Sequence, residues 1–235
     1  MIELRKLADT RSGLWLLIVI ALGAVGTSAI QLGFAPDAEQ TFSAFFTFGM
    51  LPAGVLLPVL GILSMTSEWS QRTALTTFTL VPARGRVILA KLAAGVLIAC
   101  AATAVTAVFA AVANLIGMGL SGDGSWHLDG ALPGQFVLME IIFVLMGLAF
   151  GALLLNSPLA IVLFFAIPTV WSILGAMIKS LQTAAGWLDL NLASTPLSEA
   201  GMSGGQWARL GVATAVWVVL PLLLGTVRVL RREVS

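Results

Sequence analysis

A single carboxylic acid lies inside an apolar run of this chain, and it is the first place to look for chemistry. Glu140 interrupts the run at residues 135–155, which is otherwise without charge. Ionisable groups at membrane depth are expensive, so those that occur mark substrate, ion or proton handling by default. Two readings stand open for it. Five residues into its run, it lies near an interface, where headgroups or the cations Lys179 and Arg209 would satisfy it. Alternatively it handles a substrate or an ion along a pathway. Asn114, near the outer end of the preceding apolar run, has matching depth and is a candidate hydrogen-bond partner for it.

A second constellation is nucleophilic. Gly201-Met202-Ser203-Gly204 reproduces the GxSG pattern of intramembrane serine proteases. Such a serine needs a general base within reach. The one histidine, His127, sits in a different loop ahead of the serine rather than on a later helix, so the pattern reads as a flexible turn and no catalytic residue is expected. Other chemistries are closed off by composition. Lys6, Lys91 and Lys179 follow Arg5, Ala90 and Ile178, so the phosphate-cradling GxxxxGK[ST] loop is absent. Any ATP that drives the protein must be bound by another chain. One Cys and one His supply neither an internal disulfide nor a zinc site. No cofactor or metal is expected in this chain, and a net charge of +1 gives no reason to expect nucleic acid.

The elements that position these residues are written into the composition. Hydrophobic residues fill 59% of the 235 positions and charged residues 10%, with a mean hydropathy of +1.02. A soluble domain carries roughly a quarter charged residues to face water, so lipid must cover much of this surface. Crossing the hydrocarbon takes about 20 apolar residues in a helix. Six runs reach that length: 13–34, 44–65, 88–118, 135–155, 158–178 and 207–227. The expected fold is an all-α integral membrane protein, one transmembrane domain over residues 1–235, with a tight hairpin at Asn156-Ser157.

Charge sets the expected orientation. With both termini in the cytoplasm, ten of the twelve basic residues fall on that side, and only Lys179 and Arg209 lie outside. The inner set is Arg5, Lys6 and Arg11, then Arg72, Arg84, Arg86 and Lys91, then Arg228, Arg231 and Arg232. This is the positive-inside rule, and an odd number of spans would break it. Trp15, Trp69, Trp126, Trp187 and Trp207 fall at span borders, while Trp171 and Trp217 lie within spans and read as packing residues. The first thirty residues also carry marks of a signal peptide, but with the chain beginning at Met1 they are expected to stay as a span. Pro52, Pro58, Pro168 and Pro221 interrupt spans and either kink them or free carbonyls along a pathway. Gly147 and Gly151 form a GxxxG pattern, which marks close helix contact either within the chain or between chains.

The loop at residues 66–91, TSEWSQRTALTTFTLVPARGRVILAK, is too long for a minimal hairpin. Residues 70–80 can form a short helix along the membrane surface, which Pro82 stops, and Arg84-Gly85-Arg86 then makes a basic turn. A helix there either presents a docking element to a soluble partner or anchors the loop to lipid.

This loop resembles that of the ABC-2 type permeases, bacterial export proteins. Glu68-Trp69, Arg72-Thr73-Ala74, Thr76-Thr77, Pro82, Arg84, Arg86 and Ala90-Lys91 follow that family's order of acid–aromatic pair, Gly-Thr, Thr, Pro-x-Arg-x-Arg and Ala-Lys. The chain departs from it at Gln71-Arg72, where the family commonly has a glycine. The similarity extends over nearly the whole chain, through the basic residues 1–12, the six spans, and the ending marked by Trp217, Pro221, Gly225, Arg228 and Arg231-Arg232-Glu233-Val234.

The resemblance implies a six-helix unit that pairs with a second copy or a paralogous permease chain. Each unit would dock on a separate ABC ATP-binding subunit, which holds the ATP and magnesium, in the bacterial cytoplasmic (inner) membrane. It implies an elbow helix at 1–12, a coupling helix at about 70–80, and short re-entrant helices at 179–206 that cap the outer side. Glu68, Trp69, Arg72, Thr73, Thr76, Thr77, Pro82, Arg84 and Arg86 would then form the ATPase-coupling surface, with Glu140 and Asn114 on the pathway. The expected function is the permease of an ATP-driven exporter of a lipophilic or amphipathic substrate. The alternative is a non-transporting scaffold or sensor that anchors a soluble partner through the same loop.

Overall fold

The structure, a computed structural model, describes residues 11–70, 84–120, 124–128, 130–199 and 201–231, without the side chains of Glu68, Ser70 and Arg84. Ten α-helices follow one another among these residues. They are α1 (Arg11–Phe34), α2 (Phe42–Gly49), α3 (Leu51–Ser70), α4 (Arg84–Gly119) and α5 (Leu132–Leu154). After these come α6 (Ser157–Met177), α7 (Gln182–Leu188), α8 (Leu190–Ser194), α9 (Gly204–Thr214) and α10 (Leu220–Arg231). Six segments are long and apolar enough to cross a membrane: α1, α2 with α3, α4, α5, α6, and α9 with α10. They coincide with the six runs of the sequence, with ends moved by a few residues.

The outward faces explain the composition. Leu22 and Phe34 of α1, Leu89 and Val108 of α4, Val162 and Met177 of α6, and Leu223 of α10 all point away from the bundle. A belt of large apolar side chains is unfavourable against water and suited to acyl chains. The chain is a multi-pass membrane protein. At 36 residues, α4 is about 54 Å long by helical rise, well beyond the roughly 30 Å hydrocarbon layer.

Prolines shape two of the spans. Pro52 has no N–H to give Phe48, and the second span breaks just before it, where the Met50 N–H is shared between Phe46 and Thr47 oxygens at 3.2 and 3.3 Å. Pro221 likewise cannot bond back to Trp217. There the sixth span passes through a π turn, Ala215–Val219, in which the Leu220 N–H reaches the Ala215 oxygen five residues back.

Helix α5 is the centre of the bundle. It buries residues along its whole length, from Leu132 to Ala152, and packs against α3, α4, α6 and α10. The pairing with α3 is the most extensive among the described residues, and the two helices run in the same direction. Glu140 faces Gly54, Val144 and Leu148 face Gly61, Gly147 lies on Pro58, and Gly151 lies on Ile62 and Met65. Positions 54, 58, 61 and 65 of one helix and 140, 144, 147 and 151 of the other thus interleave (58 on 147, 61 on 144), each set with a four–three–four spacing that keeps one face of each helix on the other. The GxxxG pattern thus works within this chain. A methyl group on Gly147 would collide with the Pro58 carbonyl, and one on Gly61 would stand 2.8 Å from the Val144 oxygen.

The two ends of the bundle are tied differently. At one end Lys91 Nζ donates to the Ser64 carbonyl at 2.7 Å, the Thr66 and Ser157 hydroxyls meet at 2.6 Å, and an Arg228 N–H donates to the Leu153 carbonyl. That last bond puts a cation on the final turn of α5, where unpaired carbonyls and the helix dipole favour it. Between α5 and α6, Leu155 takes the left-handed conformation (φ 52°), and Asn156 Oδ1 accepts the Leu159 N–H at 3.0 Å. This is the hairpin expected at Asn156-Ser157. At the other end Phe42 stacks on Trp126 at 5.6 Å, and the Phe42 N–H donates to the Ser125 oxygen at 3.0 Å. The described basic residues Arg11, Arg84, Arg86, Lys91, Arg228 and Arg231 all belong to the first end or its approaches.

Candidate functional site

Glu140 is where the sequence reading needs its largest correction. The helix that carries it begins at Leu132, which puts the residue about 12 Å along the axis. Its side chain is 0% exposed, so headgroups do not solvate it. Neither carboxyl oxygen has a hydrogen-bond partner among the described residues. Of the two proposed cations, Lys179 is exposed at the far end of α6, and the Arg209 guanidinium lies over the Trp187 ring at 5.9 Å. Glu140 lies opposite Gly54, where a methyl group would stand 3.5 Å from Oε1, at ordinary contact distance. A buried carboxyl without a donor is an incomplete group, and completing it requires either its own proton or a donating ligand.

A cleft opens beside it. Gly54 of α3, Phe143 and Met146 of α5, Phe164 and Phe165 of α6 and Leu190 of α8 line a space of about 190 Å³. Gly54 thus borders both the cleft and the carboxyl. Pro58 sits four residues on and has no N–H, so the Gly54 carbonyl receives no helical hydrogen bond from it.

The floor of the cleft comes from the segment between the fifth and sixth spans. It forms the 3₁₀ turn Lys179–Leu181, α7, α8 and the 3₁₀ turn Thr195–Ser198. Asp189 breaks α7 from α8 and caps the latter, its Oδ1 accepting the Leu192 N–H at 3.2 Å. Leu190, Ala193 and Leu197 are buried in one cluster with Ile142, Met146 and Phe150 of α5, so the segment folds back beside the spans. Trp217 fixes its depth: the indole N–H donates to the Leu188 carbonyl at 2.6 Å. Thirteen residues separate Trp217 from the start of α9, about 20 Å of helix. Trp217 is therefore more than a packing residue, since it satisfies a backbone carbonyl where α7 ends.

Asn114 does not join Glu140. It is fully buried, and its Nδ2 donates to the Gly124 carbonyl at 3.2 Å. The Gly124 N–H in turn reaches the Gln40 carbonyl at 3.3 Å. Asn114 therefore ties a loop across one end of the bundle, which is a structural task. Ser203 is also engaged. It caps α9 in a reciprocal box with Gln206, its N–H donating to Gln206 Oε1 at 2.7 Å and its Oγ accepting the Gln206 N–H at 3.4 Å. The GxSG pattern is a helix start here, and His127 lies in the loop before α5.

Of the expected coupling surface, Arg72, Thr73, Thr76, Thr77 and Pro82 lie outside the described residues, as does most of the 1–12 elbow. Trp69 is half-buried at the end of α3 and packs on the core, while Arg84 and Arg86 open α4. Sequence reasoning missed the pairing of Gly54 with Glu140 and the cleft beside it. A signal was present: 54, 58 and 61 repeat the spacing of 140, 144 and 147. Compared with known protein families and with characterised proteins, the chain matches no family model and no individual sequence.

Proposed function

We propose that this chain is the permease subunit of an ATP-driven exporter of the ABC-2 type, which forms the translocation pathway and is powered by a separate ATP-binding subunit. The observation that carries this reading is the segment between the fifth and sixth spans. Its short helices lie level with the middle of the bundle, held by the Trp217–Leu188 hydrogen bond, as the resemblance implies for helices capping a pathway. Six spans and basic residues gathered at one end add to it, that end being cytoplasmic by the positive-inside rule. In this scheme ATP binding closes the partner subunits, the loop between α3 and α4 moves with them, and a coupling free energy of about 1–3 kcal/mol favours one arrangement of the spans over another.

The deciding experiment is purification of the chain from its native membrane in mild detergent, with identification of what accompanies it. A stoichiometric ATP-binding subunit supports the reading, and Arg72→Glu is expected to uncouple ATP turnover from transport with the chain still inserted. A preparation without any ATPase would sink it and favour a scaffold or sensor. Glu140→Gln is expected to alter transport without altering assembly.

A further inference from the structure

We propose that the cleft between α3, α5, α6 and α8 binds a lipophilic primary ammonium ion, with Glu140 as its counter-charge. As a statement of cargo class this rests on the permease reading; as a statement of binding it stands alone.

Three features of the site point the same way. The walls are apolar and aromatic: Phe143, Phe164 and Phe165 meet there with Met146 and Leu190. The space of about 190 Å³ exceeds the roughly 150 Å³ that accommodates a benzene ring. Ring faces attract a cation as well as an apolar body. Behind the wall at Gly54 lies the fully buried Glu140, with no hydrogen-bond partner for either oxygen among the described residues. A carboxylate with both oxygens open is short of donors, and an ammonium group brings three.

Gly54 is the gate between the two. It borders the cleft on one side, and a methyl group on it would touch Glu140 Oε1 at 3.5 Å on the other. Glu140 does not itself line the cleft; with no side chain at position 54, only the Gly54 backbone stands between them, and a turn of the Glu140 side chain past it brings the carboxyl to an ammonium group in the cleft. The mouth of the cleft is lateral. Phe165, Thr169 and Asn191 line it and are exposed on the face of the bundle, so an amphipathic amine dissolved in the bilayer has a direct route in. A desolvated ion pair in such a setting is strong only when both partners are present.

The test uses the full chain in phosphatidylcholine nanodiscs, with empty nanodiscs as the blank for partitioning. The probes are benzylammonium and its neutral isostere benzyl alcohol, followed by titration calorimetry. The expected result is saturable binding of benzylammonium, roughly tenfold or more tighter than benzyl alcohol. Glu140→Gln is expected to remove that advantage and leave benzyl alcohol unchanged. Gly54→Ala keeps the carboxyl and sets a methyl group in the gap at ordinary contact distance. It should weaken benzylammonium alone, and it decides the matter if Glu140→Gln does not fold. Equal binding of the two probes, undiminished benzylammonium binding in both variants, or no saturable binding would each overturn the proposal. Co-purification of an ATPase is read separately, so the permease reading survives or falls independently of this outcome.

Discussion

The two sides of α5 are built on opposite plans. Toward α3 it closes without a gap: Gly147 lies against the Pro58 backbone, and Gly61 against the backbone of Val144. Toward α6 and α8 it leaves a cleft, walled by Phe143 and Phe164 and floored by short helices that end in mid-bundle. Close backbone approach between helices gains van der Waals contact where lipid offers no hydrophobic drive. At Gly147 and Gly61 the seam has no room for an inserted atom. The cleft side, by contrast, rests on side chains and a few hydrogen bonds, and can absorb change. Glu140 sits on the border, in register with the seam yet one glycine away from the cleft. A close seam thus lies on one side of the carboxyl and a side-chain wall on the other.

Adding bulk to the seam should give the largest effect. Gly147→Leu is expected to cost about 3 kcal/mol or more by overpacking, read as loss of monodisperse protein and a steep drop in Tm. Wild-type stability in that variant would mean that α3 and α5 are not locked together. Next comes the tie that holds the floor of the cleft. Trp217→Phe leaves the Leu188 carbonyl without its 2.6 Å partner, at a cost of about 2 kcal/mol. Hydrogen exchange should rise across residues 182–194 and leave the seam unchanged; a uniform rise over the bundle would contradict the division into two plans.

Glu140→Met removes an unsatisfied buried carboxyl and fills the same volume. It is expected to hold or raise thermal stability, by about 1 kcal/mol, while abolishing benzylammonium binding. A clear loss of stability would show that the carboxyl has a structural partner. Thr169→Leu should do least. It adds bulk at the exposed mouth of the cleft, so stability is expected to stay within about 0.5 kcal/mol while benzylammonium binding falls. If this variant destabilises as much as Gly147→Leu, the contrast between the two faces is lost.

Much of this was legible in the residue order, and the failures share one cause. The six spans and the hairpin at Asn156-Ser157 could be read from local composition. The GxxxG at Gly147 announced close packing but not its partner, because the pattern describes one helix face only. Glu140 was given headgroups or a cation as its partners because sequence position does not show burial, whereas its side chain is 0% exposed and meets neither Lys179 nor Arg209. Trp217 was read as packing because nothing in the sequence shows that the Leu188 carbonyl arrives beside it from 29 residues away. Asn114 was placed with Glu140 on depth alone, and depth does not say which way a side chain points.

By itself the sequence determined that this is a membrane protein, how many times the chain can cross a bilayer, and which end of the bundle gathers positive charge. Those properties are sums of transfer free energies and charges, additive along the chain and indifferent to which helices are neighbours. The tertiary structure alone decided that Gly54 faces Glu140, that α7 and α8 fold back to mid-bundle, and that a cleft lies one glycine from a buried carboxyl. Those depend on which helix faces meet and how closely, and a difference of one methyl group at a contact between backbones is enough to forbid the meeting.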